Sequence, residues 1–209
     1  MFELITIAIL ILSIVFHEVA HGYAANWLGD PTARLAGRLT PNPVVHIDPL
    51  GSVIIPAFLF LSHAPFLFGW AKPVPYNPYN LRNGRWSESI VAAAGPLANL
   101  FLALVFALLI RFAVPLHLSG PFIEMSSYIV FINVLLGLFN AIPLPPLDGS
   151  KIIAAFFPGS LEYRYRALVG AVERIGLLGL FLMVFIFMQV LWQPFSALVT
   201  VVFRVLTGL

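Results

Sequence analysis

The chain has 209 residues, of which 60% are hydrophobic and only 10% are charged, and its mean hydropathy is +0.97. These values exclude a soluble globular domain and predict an integral membrane protein, while the net charge of +2 is uninformative. The absence of cysteine excludes disulfides and thiolate ligands, so any metal must be bound by imidazole and carboxylate groups.

Four long apolar segments predict transmembrane helices. In chain order they are helix A (2–28), helix B (87–114), helix C (122–141) and helix D (167–192), the last followed by a C-terminal apolar piece (195–206). One span takes roughly 20 residues. We therefore expect an all-α polytopic membrane protein, a bundle of about four to six transmembrane helices that forms a single domain over 1–209.

Turn-forming residues mark the ends of these helices. Gly29 can adopt a left-handed cap after helix A, and Pro31 prevents the helix from continuing. After helix C, three prolines in "IPLPPLDG" unwind the chain. Gln193 and Pro194 predict a kink where helix D meets the C-terminal piece.

Between helices A and B lies a loop region (29–86) with a fifth apolar stretch, "VIIPAFLFLSHAPFLF" (53–68). This stretch is short for a span and contains two prolines and a histidine. We expect it to be a membrane-associated re-entrant or β-hairpin segment, because irregular backbone at membrane depth is tolerated only where protein shields it.

The sequence "HEVAH" lies inside helix A, where ionisable groups are costly. His17 and His21 are four residues apart and so share one helix face, with Glu18 next to them. Two imidazoles at this spacing can bind one zinc ion, and the glutamate can accept a proton from water. The alternative is a chance match or a polar helix pair.

A catalytic zinc site takes three protein ligands, so a third ligand must lie elsewhere. Asp148 is the strongest candidate, because the preceding prolines release it from helix C and Gly149 permits a sharp turn. His46 and Asp48 compete, and His63 is a further candidate. Asp148 could instead be a turn residue or a helix cap.

Three motifs together resemble the site-2 protease family of intramembrane zinc metalloproteases, peptidase family M50. They are "HEVAH", "AAAGPLANL" and "NAIPLPPLDG", and they extend the resemblance from about residue 16 to 151. "GRLTPNPVVHIDPLGS" and "GWAKPVPYNP" are similar to a compact branch of that family. We expect no helix before helix A and no PDZ or CBS domain.

The resemblance implies a function for each motif. His17, His21 and Asp148 would bind one zinc ion per chain, Glu18 would be the general base, and Asn140 would position the substrate backbone or the oxyanion. The implied activity is hydrolysis of peptide bonds in transmembrane protein substrates. Substrate-binding residues, substrate identity and oligomeric state do not follow from the sequence.

The metal site constrains the topology. A zinc ion shared by helix A and Asp148 requires helices A and C to run in the same direction, so 53–68 should not cross the membrane. Nine of the eleven basic residues then lie on one side, which identifies it as cytoplasmic and places the active site near it. These nine are Arg34, Arg38, Lys72, Arg82, Arg85, Lys151, Arg164, Arg166 and Arg174. We expect a prokaryotic cell membrane.

The remaining motifs support smaller predictions. The small residues of "AAAGPLANL" would let another helix approach, with Asn99 bonding across the contact. "LEYRYRALV" is typical of an anchor at the bilayer surface and not of a nucleic-acid site. "PLGSVIIPAF" or "GWAKPVPY" could pair with an unwound substrate as an added strand, and "HIDP" is more typical of a loop brace.

Two other functional classes are a catalytically silent metal-binding scaffold and a metal or proton transporter. The sequence disfavours both. A scaffold has no use for Glu18 beside the ligands. A transporter usually has polar residues on several helices, whereas helices B and D offer little beyond Asn99 and Gln189.

Overall fold

The computed structural model describes residues 2–62, 69–82 and 84–209, and within these ranges it contains helices and no strands. The predicted all-α class is confirmed. In chain order the helices are α1 (Phe2–Trp27), α2 (Thr32–Leu35), α3 (Ile55–Leu61), α4 (Ser87–Arg111), α5 (Gly120–Asn140), α6 (Asp148–Ala154), α7 (Gly159–Arg174), α8 (Leu177–Ile186) and α9 (Trp192–Thr207). Shorter 3₁₀ turns occupy Pro43–His46 and Pro78–Asn80, and π-helical turns occupy Pro49–Ile54 and Phe187–Leu191.

Four helical stretches among the described residues are long and apolar enough to cross a membrane. They are Ile5–Trp27, Ser87–Arg111, Gly120–Asn140 and Leu178–Thr207. The first three correspond closely to predicted helices A, B and C. The chain is therefore a multi-pass membrane protein.

The fourth span differs from predicted helix D at both ends, because it begins at Leu178 and continues through the predicted C-terminal piece to Thr207. Gly159–Arg174 is a separate helix, and the chain turns at Gly176, which has a φ of 63°. The π-helical turn Phe187–Leu191 lies just before the predicted kink at Pro194. Proline has no N–H to bond the carbonyl four residues earlier, which favours an irregular turn there.

The end of α1 agrees with the sequence prediction. Gly29 has a φ of 107°, its N–H bonds the carbonyl of Asn26 at 3.2 Å, and the N–H of Asp30 bonds the carbonyl of Ala25 at 2.9 Å. This pair of hydrogen bonds forms a Schellman motif, which satisfies carbonyls at the helix end. It fixes the end of α1 at Trp27, less than two turns beyond His21.

Helix α4 lies at the centre of the bundle and packs against α1, α5, α6 and α9. Its side chains toward α5 and α9 include Ala103 and Ala107, which are almost completely buried and let neighbouring helices approach closely. Along α1, Ser13 bonds Asn99 of α4 and His21 bonds Val91, so the two helices are antiparallel. A short connection makes α5 antiparallel to α4, so α1 and α5 run in the same direction.

The region between α1 and α4 contains only short helices in its described part. The helical stretch from Pro49 to Leu61 rises at most about 1.5 Å per residue, roughly 20 Å in total, and the hydrocarbon core is roughly 30 Å thick. No β-hairpin forms among the described residues of this region. Residues 63–68, including the candidate ligand His63, lie outside the described ranges, so the re-entrant path stays a prediction.

Candidate metal centre

Three side chains that are distant in sequence converge where α1, α4 and α6 meet. His17 Nε2 and His21 Nε2 are 3.0 Å apart, and the Asp148 Oδ2 atom is 3.1 Å from the first and 3.3 Å from the second. Within the described ranges this is the only group of at least three His, Cys, Asp or Glu side chains arranged so that it could hold a metal ion. The structure thus brings together the residues predicted as ligands.

Both imidazoles are held through their other ring nitrogen. His17 Nδ1 is 2.6 Å from Asn99 Oδ1, and His21 Nδ1 is 2.7 Å from the carbonyl oxygen of Val91. Each acceptor oxygen requires a proton on Nδ1, which leaves the Nε2 lone pair facing the cluster. Three acceptor atoms about 3 Å apart repel one another unless a cation lies among them. Two imidazoles and one carboxylate are donors that zinc accepts.

Asp148 reaches the cluster because α6 begins at this residue, directly after the proline-rich turn. Gly149 serves a different purpose from the predicted sharp turn. It lies within α6, and a side chain there would collide with the carbonyl oxygens of Ala141 and Ile142, so glycine allows the close approach of α6 to the end of α5.

Helix α4 leaves room for the cluster at Gly95. A methyl group at this position would lie 2.6 Å from His17 Nε2 and closer still to His21 Nε2. Gly95 therefore does more than permit helix packing, which was the interpretation of "AAAGPLANL" from the sequence. It keeps open the space into which the ligand nitrogens point.

We expect Gly95→Ala to lower the bound zinc sharply while the fold is retained, because the imidazole ends can rotate away from the new methyl group. Zinc per chain and the thermal midpoint measure the two effects. Gly137→Ala is the matched control, since a methyl group there would press on Leu100 at 3.0 Å, away from the imidazoles. It should reduce stability and keep zinc. Full zinc binding by Gly95→Ala would contradict this assignment.

Glu18 lies beside the cluster and is held by the loop before α4. Its Oε2 atom accepts a hydrogen bond from the N–H of Val74 at 2.9 Å. Pro73 and Pro75 have no N–H, so Val74 is the only backbone donor in this tripeptide. One carboxylate oxygen of Glu18 is thereby fixed, and the other remains available for chemistry.

Arg38 holds this loop in place, a role that the sequence analysis did not identify. The guanidinium is 8% exposed and donates to the carbonyl oxygens of Val45, Lys72 and Pro73. The bonds to Lys72 and Pro73 occupy backbone acceptors of "GWAKPVPY", and "PLGSVIIPAF" is helical. Neither segment is a free strand edge in this structure, and strand addition to either would require a rearrangement.

A cavity opens next to the cluster. Its lining includes the three candidate ligands, Glu18 and the predicted accessory residue Asn140; the other lining residues are Pro73, Val74, Tyr76, Val91, Ala92, Pro146, Leu147 and Lys151. The Asn140 amide donates one hydrogen bond to the carbonyl of Leu136 at 3.0 Å. Lys151 pairs with Glu173 at 3.1 Å; burial lowers its pKa, but Tyr76 and Glu173 raise it by more, so the ammonium is charged.

The competing ligand candidates His46 and Asp48 do not join the cluster. His46 is almost completely buried and its Nε2 atom is 3.0 Å from the carbonyl oxygen of Thr40. Asp48 accepts a hydrogen bond from the N–H of Gly51 at 2.7 Å and caps the helical turn that follows. Both side chains stabilise the loop, in agreement with the loop-brace interpretation of "HIDP".

Comparison with known proteins places this chain in a family. The model of peptidase family M50 matches residues 115–187. "Putative zinc metalloprotease YwhC" of Bacillus subtilis is 36% identical over 197 residues, which cover 90% of this chain and 84% of that protein. "Putative zinc metalloprotease Rip2" of Mycolicibacterium smegmatis is 31% identical over 147 residues, which cover 70% of this chain and 54% of that protein.

A shorter match links the chain to an archaeal protein. "Putative zinc metalloprotease MJ0611" of Methanocaldococcus jannaschii is 39% identical over 64 residues, which cover 30% of this chain and 31% of that protein. No solved structure matches the chain. The extended similarity to YwhC and the family-model match confirm the resemblance inferred from the motifs: the chain belongs to peptidase family M50.

Proposed function

We propose that this protein is an intramembrane zinc metalloprotease that hydrolyses peptide bonds of membrane-spanning substrates near the cytoplasmic face. The observation that carries the proposal is the convergence of His17, His21 and Asp148 in a cavity that Glu18 also lines. The relatives YwhC and Rip2 are each named "putative zinc metalloprotease", which agrees with the donor set of this cluster. One zinc ion per chain would be held by these three residues.

When bound, zinc supplies a Lewis acid that polarises the scissile carbonyl and makes water more acidic. Glu18 accepts a proton from the attacking water on the oxygen that Val74 leaves free. It then passes this proton to the amide nitrogen as the carbon–nitrogen bond breaks. The second amide hydrogen of Asn140 is available to donate to the substrate backbone, because only the first is engaged by Leu136.

Cleavage by the purified protein tests this function. Zinc-loaded protein in liposomes is incubated with a panel of single-span peptides, and the products are identified by mass spectrometry. We expect cleavage that stops when a zinc chelator is added and resumes when zinc is restored. Cleavage unaffected by the chelator would contradict a zinc-dependent mechanism. Zinc binding without cleavage of any peptide would favour the scaffold alternative.

The cytoplasmic orientation is a separate part of the proposal and has its own test. Single cysteines are introduced into this cysteine-free chain at the exposed positions Tyr79, Ser119 and Ser160 and treated with an impermeant thiol reagent outside intact cells. We expect only Ser119→Cys to react, since it lies between α4 and α5 at the end away from the site. External labelling of Tyr79→Cys would contradict the proposed orientation.

A further inference from the structure

A buried polar network connects the candidate metal site to the middle of the bundle. It consists of Ser13 on α1, Asn99 on α4 and Asn133 on α5, together with the imidazole of His17. Both asparagines are completely buried, and Ser13 is 3% exposed. Polar groups so deep in an apolar bundle require a compensating function, because each must find its hydrogen-bond partners within the protein.

The hydrogen bonds of Asn99 fix the orientation of its amide. Its Nδ2 atom donates to the carbonyl oxygen of Ser13 at 3.2 Å and to Asn133 Oδ1 at 2.8 Å. Both partners are acceptors, so the nitrogen of the amide must face them. The oxygen must then face His17, whose Nδ1 lies 2.6 Å away and carries the proton.

Asn133 is fixed in the same manner. Its Nδ2 atom donates to Ser13 Oγ and to the carbonyl oxygen of Ile129, each at 2.9 Å. All four amide hydrogens of the two asparagines are thus engaged, which removes the freedom of Asn99 to turn over. The network presents one fixed acceptor to one edge of the His17 ring.

We propose that Asn99 is the positioning residue that holds His17 in the tautomer and ring orientation needed to bind the metal. The inference rests on the proposed zinc site and extends it to α4. An acceptor on Nδ1 keeps the Nε2 lone pair directed at the metal, and it makes the imidazole a stronger ligand. Together with Gly95, one turn earlier on the same face, Asn99 makes "AAAGPLANL" a supporting layer of the site.

The zinc affinity of Asn99→Leu tests this inference, because leucine has a similar volume and no acceptor. We expect its zinc dissociation constant, measured by competition with a chelating dye, to rise by about 10- to 100-fold. Asn133→Leu is the matched control. This variant replaces an asparagine that bonds Asn99 and not the imidazole, and it leaves Asn99 able to bond Ser13. Its zinc affinity should therefore stay close to that of the wild type.

Nitrogen NMR of the histidine rings in the zinc-free protein gives a second readout. The wild type should have His17 protonated on Nδ1, with its signal assigned by its loss in His17→Ala, and Asn99→Leu should shift it toward the Nε2-protonated tautomer. If Asn99→Leu does not fold, Asn99→Ala removes the same acceptor without adding bulk, and its zinc dissociation constant should rise by about the same 10- to 100-fold; wild-type zinc affinity in that variant would overturn the inference.

The outcomes separate this inference from the proposed function. A wild-type protein that binds no zinc would overturn the metal site itself. Wild-type zinc binding that is unchanged in Asn99→Leu would overturn only the role of Asn99. Equal losses of affinity in Asn99→Leu and Asn133→Leu would reduce that role to helix packing.

Discussion

Glu18→Gln is expected to abolish peptide cleavage while zinc content and fold stay unchanged. The glutamine oxygen can still accept the hydrogen bond from Val74, so the loop should keep its position. The amide cannot accept a proton from water, and loss of a general base lowers rates by about 10²- to 10⁴-fold. Initial cleavage rates on the best peptide of the panel, with zinc measured on the same sample, test this result.

Glu124→Gln is the matched control for this experiment. Glu124 is exposed in the first half of α5, distant in the bundle from the end that carries the site. The same chemical change there should leave cleavage intact. Turnover by Glu18→Gln at the wild-type rate would eliminate Glu18 as the base, whatever the state of the zinc site.

The second prediction with a large expected effect concerns the three candidate zinc ligands. His17→Ala, His21→Ala and Asp148→Ala should each lower bound zinc from about one ion per chain toward zero, since each removes one of the three donors that the described residues bring together. Zinc that binds only the folded chain raises its thermal midpoint. The three variants should lose this zinc-dependent rise, which differential scanning measurements with and without zinc can follow.

His46→Ala distinguishes ligand loss from general damage. His46 is 2% exposed and bonds Thr40, so its removal should destabilise the loop and leave the zinc-dependent rise in place. A protein that retains zinc in Asp148→Ala and loses it in His46→Ala would assign the third ligand to His46. The topology argument built on Asp148 would then fail as well.

Local sequence signals were sufficient for the ends of α1 and α5. The end of α1 is set by Gly29 and Pro31, and the end of α5 by the proline-rich turn, because these residues act through their own backbone geometry. The predicted start of helix D was wrong, because the apolar pattern continues across Gly176 and does not reveal the turn there. This turn separates the amphipathic α7 from the span that follows.

The candidate ligands could be predicted because the HExxH spacing places both imidazoles on one helix face. Their surroundings could not. The bonds from Val74 to Glu18 and from Arg38 to the loop carbonyls join residues far apart in sequence, and no periodicity encodes them. From its sequence context, Asn99 was interpreted as a residue of the helix-packing motif that bonds across the helix contact. Only the fold brings its oxygen to His17.

The position of zinc itself tests the central claim most directly. Crystals of the zinc-loaded protein, measured at the zinc absorption edge, give an anomalous difference map that locates the ion independently of the protein density. We predict one peak per chain, about 2.0–2.2 Å from the Nε2 atoms of His17 and His21 and from a carboxylate oxygen of Asp148. A peak at His46, or a zinc-loaded protein with no peak between the two imidazoles, would contradict the account.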